Sequence, residues 1–187
     1  LAPQISPATQ VITTTYTAQR QAYQEIDGND HPTTHAYYNN GWLSTTTDAN
    51  SQVTTFLYDA AGRQTQVQRP EGRTTTSDYD SVTGRLTSTT DPMNKTTSYS
   101  YDPGDRLTQL TDPLSHVTTY VYDAADQQIE VQISDGTHTL TATTTYDDAG
   151  QKIAVSNPAN ETTSYAYDRD GNGTQTTDPL NHSTYSM

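Results

Sequence analysis

The chain has 187 residues, 30% hydrophobic and 17% charged, with one Phe, one Trp, 14 Tyr, no Cys and a formal net charge of −13. Without Cys there is no disulfide framework and no thiolate metal site. The acidic balance, with nine Lys and Arg scattered singly, argues against a nucleic-acid partner, and no apolar run approaches the roughly 20 residues of a membrane-spanning helix.

So few apolar residues could leave a chain disordered. Tyrosine and threonine recur here at regular intervals, which argues for order. Tyr must then supply much of the buried area, because it hides a large ring while its hydroxyl keeps a partner or water.

Residues 1–15 read as a lead-in or cap, and neither a basic start nor an apolar stretch marks a signal peptide. From residue 16 the chain repeats itself. The anchor is Tyr16, Tyr38, Tyr58, Tyr79, Tyr101, Tyr122, Tyr146 and Tyr167, at spacings of 22, 20, 21, 22, 21, 24 and 21 residues. An aspartate follows as Asp59, Asp80, Asp102, Asp123, Asp147 and Asp168, with Asn39 in its place after Tyr38 and Thr17 after Tyr16. Gly62, Gly84, Gly150 and Gly171 come next, then Arg63, Arg85 and Arg106 in their copies. A second punctuation falls at Arg69-Pro70, Asp91-Pro92, Asp112-Pro113, Asn157-Pro158 and Asp178-Pro179. Residues 16–187 are therefore expected to form one repeat domain of about eight units.

Each unit holds two turns and two short runs rich in Thr, Tyr and Val, the residue types that suit a pleated surface. Pro and Gly stop the runs, and Asp at a turn start accepts bonds from backbone N–H groups two residues on. The expected fold is all-β: tandem hairpins of about 21 residues in a curved antiparallel strip, without long helices. Period-two alternation puts Thr97, Tyr99 and Tyr101 on one face and Ser98 and Ser100 on the other. The anchors then form one ladder, and Phe56, Tyr99, Tyr120, Tyr165 and Tyr185 form a second, two residues earlier. Between Tyr122 and Tyr146 the chain gains three residues and lacks Asp-Pro. There, Ser134-Asp135-Gly136-Thr137 predicts a longer, protruding hairpin.

Y-D-x-x-G-R-L followed by D-P-x-x-x-x-T-x-Y-x-Y-D resembles the Rhs, or YD, repeat, most closely over "YDPGDRLTQLTDPLSHVTTYVYD". The resemblance implies a strip of hairpins that spirals into a hollow shell. In bacterial polymorphic toxins and insecticidal toxin complexes that shell encloses a toxic C-terminal domain; in teneurins it is part of an adhesion ectodomain. About eight repeats make only a partial shell of this type, and the family's core-terminating P-x-x-x-x-D-P-x-G-L element is absent. The implied function is a non-catalytic scaffold segment of a large, secreted or surface-exposed bacterial protein. Its implied partners are the remainder of a parent chain or an encapsulated toxin domain. The alternative is an extracellular binding or adhesion module that recognises a glycan or a surface protein.

No Ser or His stands in a context that suggests a nucleophile and base, so no catalytic residue and no cofactor are assigned. Asp168, Asp170 and Asn172 with Gly173 resemble the opening of a calcium loop, but Pro179 stands where the bidentate Glu belongs. The simpler reading is the repeat's own turn. His31 and His35 flank Pro32 in a β region and do not face one metal. Asn94, Asn160, Asn172 and Asn181 match the glycosylation sequon, although the turn-to-strand junction itself favours Asn before Thr. Runs such as Thr45-Thr46-Thr47 would suit an ice-binding array, which requires a fixed pattern that the outward positions lack. Unpaired edges and a tyrosine-rich face predict weak self-association that strengthens with salt.

Overall fold

A computed structural model describes residues 13–186 as seventeen β-strands and a single 3-10 turn at Pro70–Gly72. No helix among the described residues is long and apolar enough to cross a membrane. The fold is all-β and antiparallel, and it divides into two compact bodies, Leu1–Lys95 and Thr96–Met187.

The N-terminal body is an eight-stranded meander. Its strands are β1 (Thr13–Tyr16), β2 (Ala22–Ile26), β3 (Pro32–Tyr37), β4 (Leu43–Thr47), β5 (Val53–Tyr58), β6 (Gln64–Gln68), β7 (Thr74–Tyr79) and β8 (Leu86–Thr90), each paired to its chain neighbour. The lead-in expected over 1–15 falls partly in β1, and residues 1–12 lie outside the described residues. The C-terminal body continues the same plan through β9 (Thr96–Tyr101), β10 (Leu107–Thr111), β11 (Val117–Tyr122), β12 (Gln128–Ser134), β13 (Thr139–Tyr146), β14 (Lys152–Ser156), β15 (Thr162–Tyr167), β16 (Gly173–Thr177) and β17 (Ser183–Tyr185). The insertion after Tyr122 lengthens β12 and β13 as expected, with Ser134 paired to Thr139 across the Asp135 turn.

Pairing alternates in quality along each body. The two strands joined by a Tyr-Asp turn pair over most of their length, but with a bulge at the anchor. Leu57 faces Gln66 and Tyr58 faces Gln64, so Thr65 is the extra residue. The same slip frees Thr108, Ile129, Ile153 and Thr174 opposite Tyr101, Tyr122, Tyr146 and Tyr167. A bulge bends its strand and increases the local twist. Successive hairpins therefore pair over only three residues, as between Gln109–Thr111 and Val117–Thr119, and stay unpaired nearer the anchor, except at the lengthened β12 and β13, which pair over five.

Cross-strand pairs give each body one aromatic and aliphatic face and one face of Thr, Ser and Gln. Phe56 lies opposite Val67, Tyr99 opposite Leu110 and Tyr120 opposite Val131 on the first. Thr45 lies opposite Thr55, and Gln132 opposite Thr141, on the second. Tyr185 belongs to the second face and not to the tyrosine row: it pairs with Gln175, as Ser164 pairs with Ala154. Its register is one residue off the position of Tyr165. Among the described residues none is fully buried. The anchors from Tyr58 to Tyr167 are partly and not fully buried, because one layer of sheet shields only one side of each ring.

Candidate functional site

The repeated feature is the end of each hairpin where the anchor tyrosine sits. Five anchors donate their hydroxyl to a backbone carbonyl of the preceding hairpin. Tyr37 reaches the Ala22 carbonyl at 2.8 Å, Tyr79 that of Gln64 at 3.0 Å and Tyr122 that of Leu107 at 2.9 Å. Tyr146 reaches Gln128 at 3.2 Å and Tyr167 reaches Lys152 at 2.8 Å. Each acceptor is the residue paired to the previous anchor, just where adjacent hairpins stop pairing. The ring fills that wedge and its hydroxyl satisfies a carbonyl that no ladder partner reaches.

This geometry corrects one anchor. Tyr37, and not Tyr38, ends β3 and makes the bridge, while Tyr38 takes the slot of the following aspartate: its N–H donates to the Trp42 carbonyl as that of Asp59 does to Arg63. With Tyr37 as anchor, the spacings on either side both become 21 residues.

The aspartates close the turns, at both ends of the hairpins and in one geometry. Asp59 Oδ1 accepts the N–H groups of Ala61 and Arg63, and Asp102, Asp123, Asp147 and Asp168 repeat the pattern. Asp91, Asp112 and Asp178 do the same at the opposite ends. Asp80 caps a turn one residue longer through Val82 and Thr83. The fourth residue of these turns has positive φ: Gly62 at 84°, Asn94 at 58°, Asn160 at 61° and Asn181 at 66°. That conformation favours Gly and Asn, which accounts for three of the four sequons without any glycan.

Such bonds hold the carboxyls of Asp59, Asp80, Asp102, Asp112, Asp168 and Asp178 below the ordinary carboxylate range. For Asp59 the main cause is the Arg63 backbone N–H, and for Asp102 it is the Arg106 guanidinium. Asp27, Asp80, Asp135, Asp168 and Asp178 shift the same way through their own turn donors. At Asp112 partial desolvation opposes the shift, and the bonds from His116 and Leu114 outweigh it.

The residue that ends each anchor turn connects one repeat to the next. Arg63 Nε donates to Asp59 at 2.6 Å, and its Nη1 reaches across to the Asp80 carbonyl at 3.3 Å with the guanidinium 4.8 Å from the Tyr79 ring. Arg106 repeats this with Asp102, Asp123 and Tyr122. Gln21 and Gln127 reach the carbonyls of Gly41 and Gly150, and Trp42 packs on Tyr58 at 5.3 Å. The next repeat's glycine makes room for this side chain. A Cβ on Gly62 would lie 2.7 Å from the Trp42 ring, and one on Gly150 or Gly171 would lie 3.0 Å from Gln127 or Gln151. Where that glycine is Asp126, the side chain facing it is Arg106, in an ion pair of 2.6 Å. Thus Gln127, Gln151 and Asp126 replace Gly and Arg without loss of the device. Sequence reasoning missed this linkage because the partners lie about 20 residues apart, although the co-occurrence of Gly with a long side chain one repeat earlier was visible.

The calcium candidate resolves into the same turn. Asp168 Oδ1 accepts from the Asp170 and Asn172 N–H groups and Oδ2 from the Asn172 side chain at 3.0 Å. Among the described residues no group of three or more His, Cys, Asp and Glu is placed to hold a metal. His31, His116, His138 and His182 each face a turn aspartate through Nδ1, whereas His35 lies in β3 beside Thr46.

One copy departs from the pattern. Tyr38, Asn39, Asn40, Trp42, Leu57 and Tyr58 line an open cleft of about 460 Å³. The Tyr38 ring meets Tyr58 edge-on at 6.3 Å, and its hydroxyl donates to the Phe56 carbonyl at 3.0 Å.

Comparison with known proteins gives a consistent picture. The model of the RHS Repeat matches residues 37–74, 79–116, 105–140 and 146–183. No curated protein matches the chain. Its fold is similar to that in the crystal structure of TcdB2-TccC3-TEV, with a TM-score of 0.71 and 20% identity over 88% of this chain and 10% of that one. It is also similar to TcdB2-TccC3, with a TM-score of 0.70 and 18% identity over 91% and 12%. A structure of the Photorhabdus luminescens Tc holotoxin pore matches with a TM-score of 0.65 and 18% identity over 89% and 12%. The chain thus spans 10 to 12% of the length of the chains it resembles. With the family model matched over more than half of its length, on hairpins that repeat one tyrosine bridge and one aspartate turn, this chain belongs to the Rhs repeat family.

Proposed function

We propose that this chain is a stretch of wall in the shell of a larger Rhs-type, toxin-like protein, and that its work is mechanical and not catalytic. The observation that carries this reading is the repetition of one bridge, from Tyr37 to Ala22 through Tyr167 to Lys152. In five copies the repeated chemistry goes into holding neighbouring hairpins together. A catalytic site needs unlike groups converging on one point; a wall needs like groups doing the same task in series.

Such a wall segment has the remainder of the parent chain as its first partner, and an enclosed C-terminal domain as its second. A bacterial protein of this kind is secreted or displayed at the surface, and the chain's acidic charge keeps it dispersed there. The test is protease protection in the parent protein. With the segment intact, the downstream domain should resist digestion under native conditions. Deleting two whole repeats, Tyr58 to Ser100, should open the wall and expose that domain while the remaining hairpins stay folded. Equal protection before and after deletion would refute the shell reading.

A further inference from the structure

We propose that the open edge of β13 at Thr139–Ala142 is a docking site for an extended, lysine-flanked segment of a partner protein, which adds to the sheet as a further strand. This goes beyond the scaffold role and does not depend on it. The first ground is a step in the sheet. β12 is paired on both sides as far as Ser134, which lies opposite Val117 of β11 and Thr139 of β13. β13 has no such cover. It pairs with β14 only from Thr143, opposite Ser156, to Tyr146, and beyond Ser156 the chain turns away at Asn157. Thr139–Ala142 is therefore a free edge within the sheet. The Asp135 N–H donates to the His138 carbonyl at 3.2 Å, which makes these two a hydrogen-bonded pair. Such pairs alternate along an antiparallel ladder. Leu140 and Ala142 thus use their backbone groups on Ile133 and Val131, and Thr139 and Thr141 direct theirs outward.

The second ground is what the edge lacks and what it exposes. Native sheets blunt such an edge with Lys, Pro or a bulge. Thr139-Leu140-Thr141-Ala142 contains neither residue, and its pairing with β12 runs without a register shift. Leu140 is 55% exposed and Ile133 opposite it 49%, both on the aromatic and aliphatic face. A strand laid antiparallel on β13 places alternate side chains beside Leu140 and Ala142, where β-branched apolar residues fit, and the others beside Thr139 and Thr141, where Thr or Ser fits. Main-chain bonds then supply affinity and the alternate positions selectivity. The ends of the edge set the charge. One end is the turn of Asp135, and the other is the β14–β15 turn with Glu161. Charge complementarity asks for a basic residue at each end of the added strand. A second copy of this chain fits less well. Pairing two such edges antiparallel sets the Asp135 end of each against the Glu161 end of the other, in chains that each carry −13. So short a ladder makes the contact weak and reversible.

The test titrates a capped peptide, Lys-Thr-Val-Thr-Val-Lys, into the whole chain and follows amide NMR shifts and hydrogen exchange. The Thr139 and Thr141 amides should exchange fast in the free protein and slow tenfold or more at saturation, with shifts confined to β12, β13 and the two flanking turns. Replacing both lysines of the peptide by glutamate should weaken binding at least tenfold at low salt. Leu140→Lys keeps the backbone edge and should weaken binding tenfold without moving the melting temperature. Thr141→Pro removes an outward N–H and no ladder bond, and should abolish binding. No saturable shift, protection elsewhere in the sheet, equal binding of the glutamate peptide, or undiminished binding by Leu140→Lys and Thr141→Pro would overturn the proposal. So would protection of Thr139 and Thr141 in the free protein that rises with its concentration, which would give the edge to a second copy.

Discussion

Tyr122 offers the clearest measure of the tyrosine bridge. Tyr122→Phe removes only the bond to the Leu107 carbonyl. Leu107 is only partly buried, so water can replace some of the loss, and the cost should fall at about 0.5–1 kcal/mol, the lower part of the range for one hydrogen bond. Tyr122→Ala removes the ring as well. Deleting a fully buried aromatic costs about 3–5 kcal/mol, and a half-buried one about half of that. The Arg106 guanidinium, 4.9 Å from the ring centre, loses its contact too, for a further ~0.5 kcal/mol. The total is about 3 kcal/mol, or a drop of roughly 6–12 °C for a chain of this size. Tyr23→Ala is the control: Tyr23 is the extra residue of its bulge and 53% exposed, so ~1 kcal/mol is expected. Repeat arrays unfold with limited cooperativity, so urea melts should be paired with hydrogen exchange at β10 and β11. Equal losses for Tyr122→Ala and Tyr23→Ala, or unchanged exchange at β10 in Tyr122→Ala, would refute the wedge account.

Gly62→Ala should cost more than Gly136→Ala in thermal melts, because both have positive φ but only Gly62 faces a ring at 2.7 Å. Acid should unfold the protein through its turns. Carboxyls depressed in the folded state stabilise it while ionised, and that contribution is lost as pH falls below the unfolded value of about 3.9 toward the folded one. The melting temperature should therefore hold steady down to about pH 5 and fall steeply below about pH 4, with the aspartates of Asp59, Asp102 and Asp168 contributing together; an early fall above pH 5 would contradict this. Millimolar calcium should leave the melting temperature unchanged, since both Asp168 oxygens accept turn donors. A rise lost in Asp170→Ala would restore the calcium loop.

What the sequence alone determined is what lies within one repeat. Asp at a turn start, Gly or Asn three residues later and alternating Tyr, Thr and Ser act over fewer than ten residues, and each has one local solution. Hairpins, turn positions and the long copy at Ser134–Thr139 were legible for that reason. The register of Tyr37 against Tyr38 was not, because two adjacent tyrosines satisfy the same local pattern and only the bridge to Ala22 separates them. Nor was the shift of Tyr185 to the polar face, which follows from its pairing with Gln175. The contact of each Arg, Gln or Trp with the next repeat's glycine also needed three dimensions. It depends on the bulge opening a wedge between hairpins, and a bulge is a property of two paired strands, so neither strand's sequence records it alone. The cleft at Trp42 exists for the same reason: Tyr38 and Tyr58 are 20 residues apart in the chain and become a corner only when their hairpins diverge.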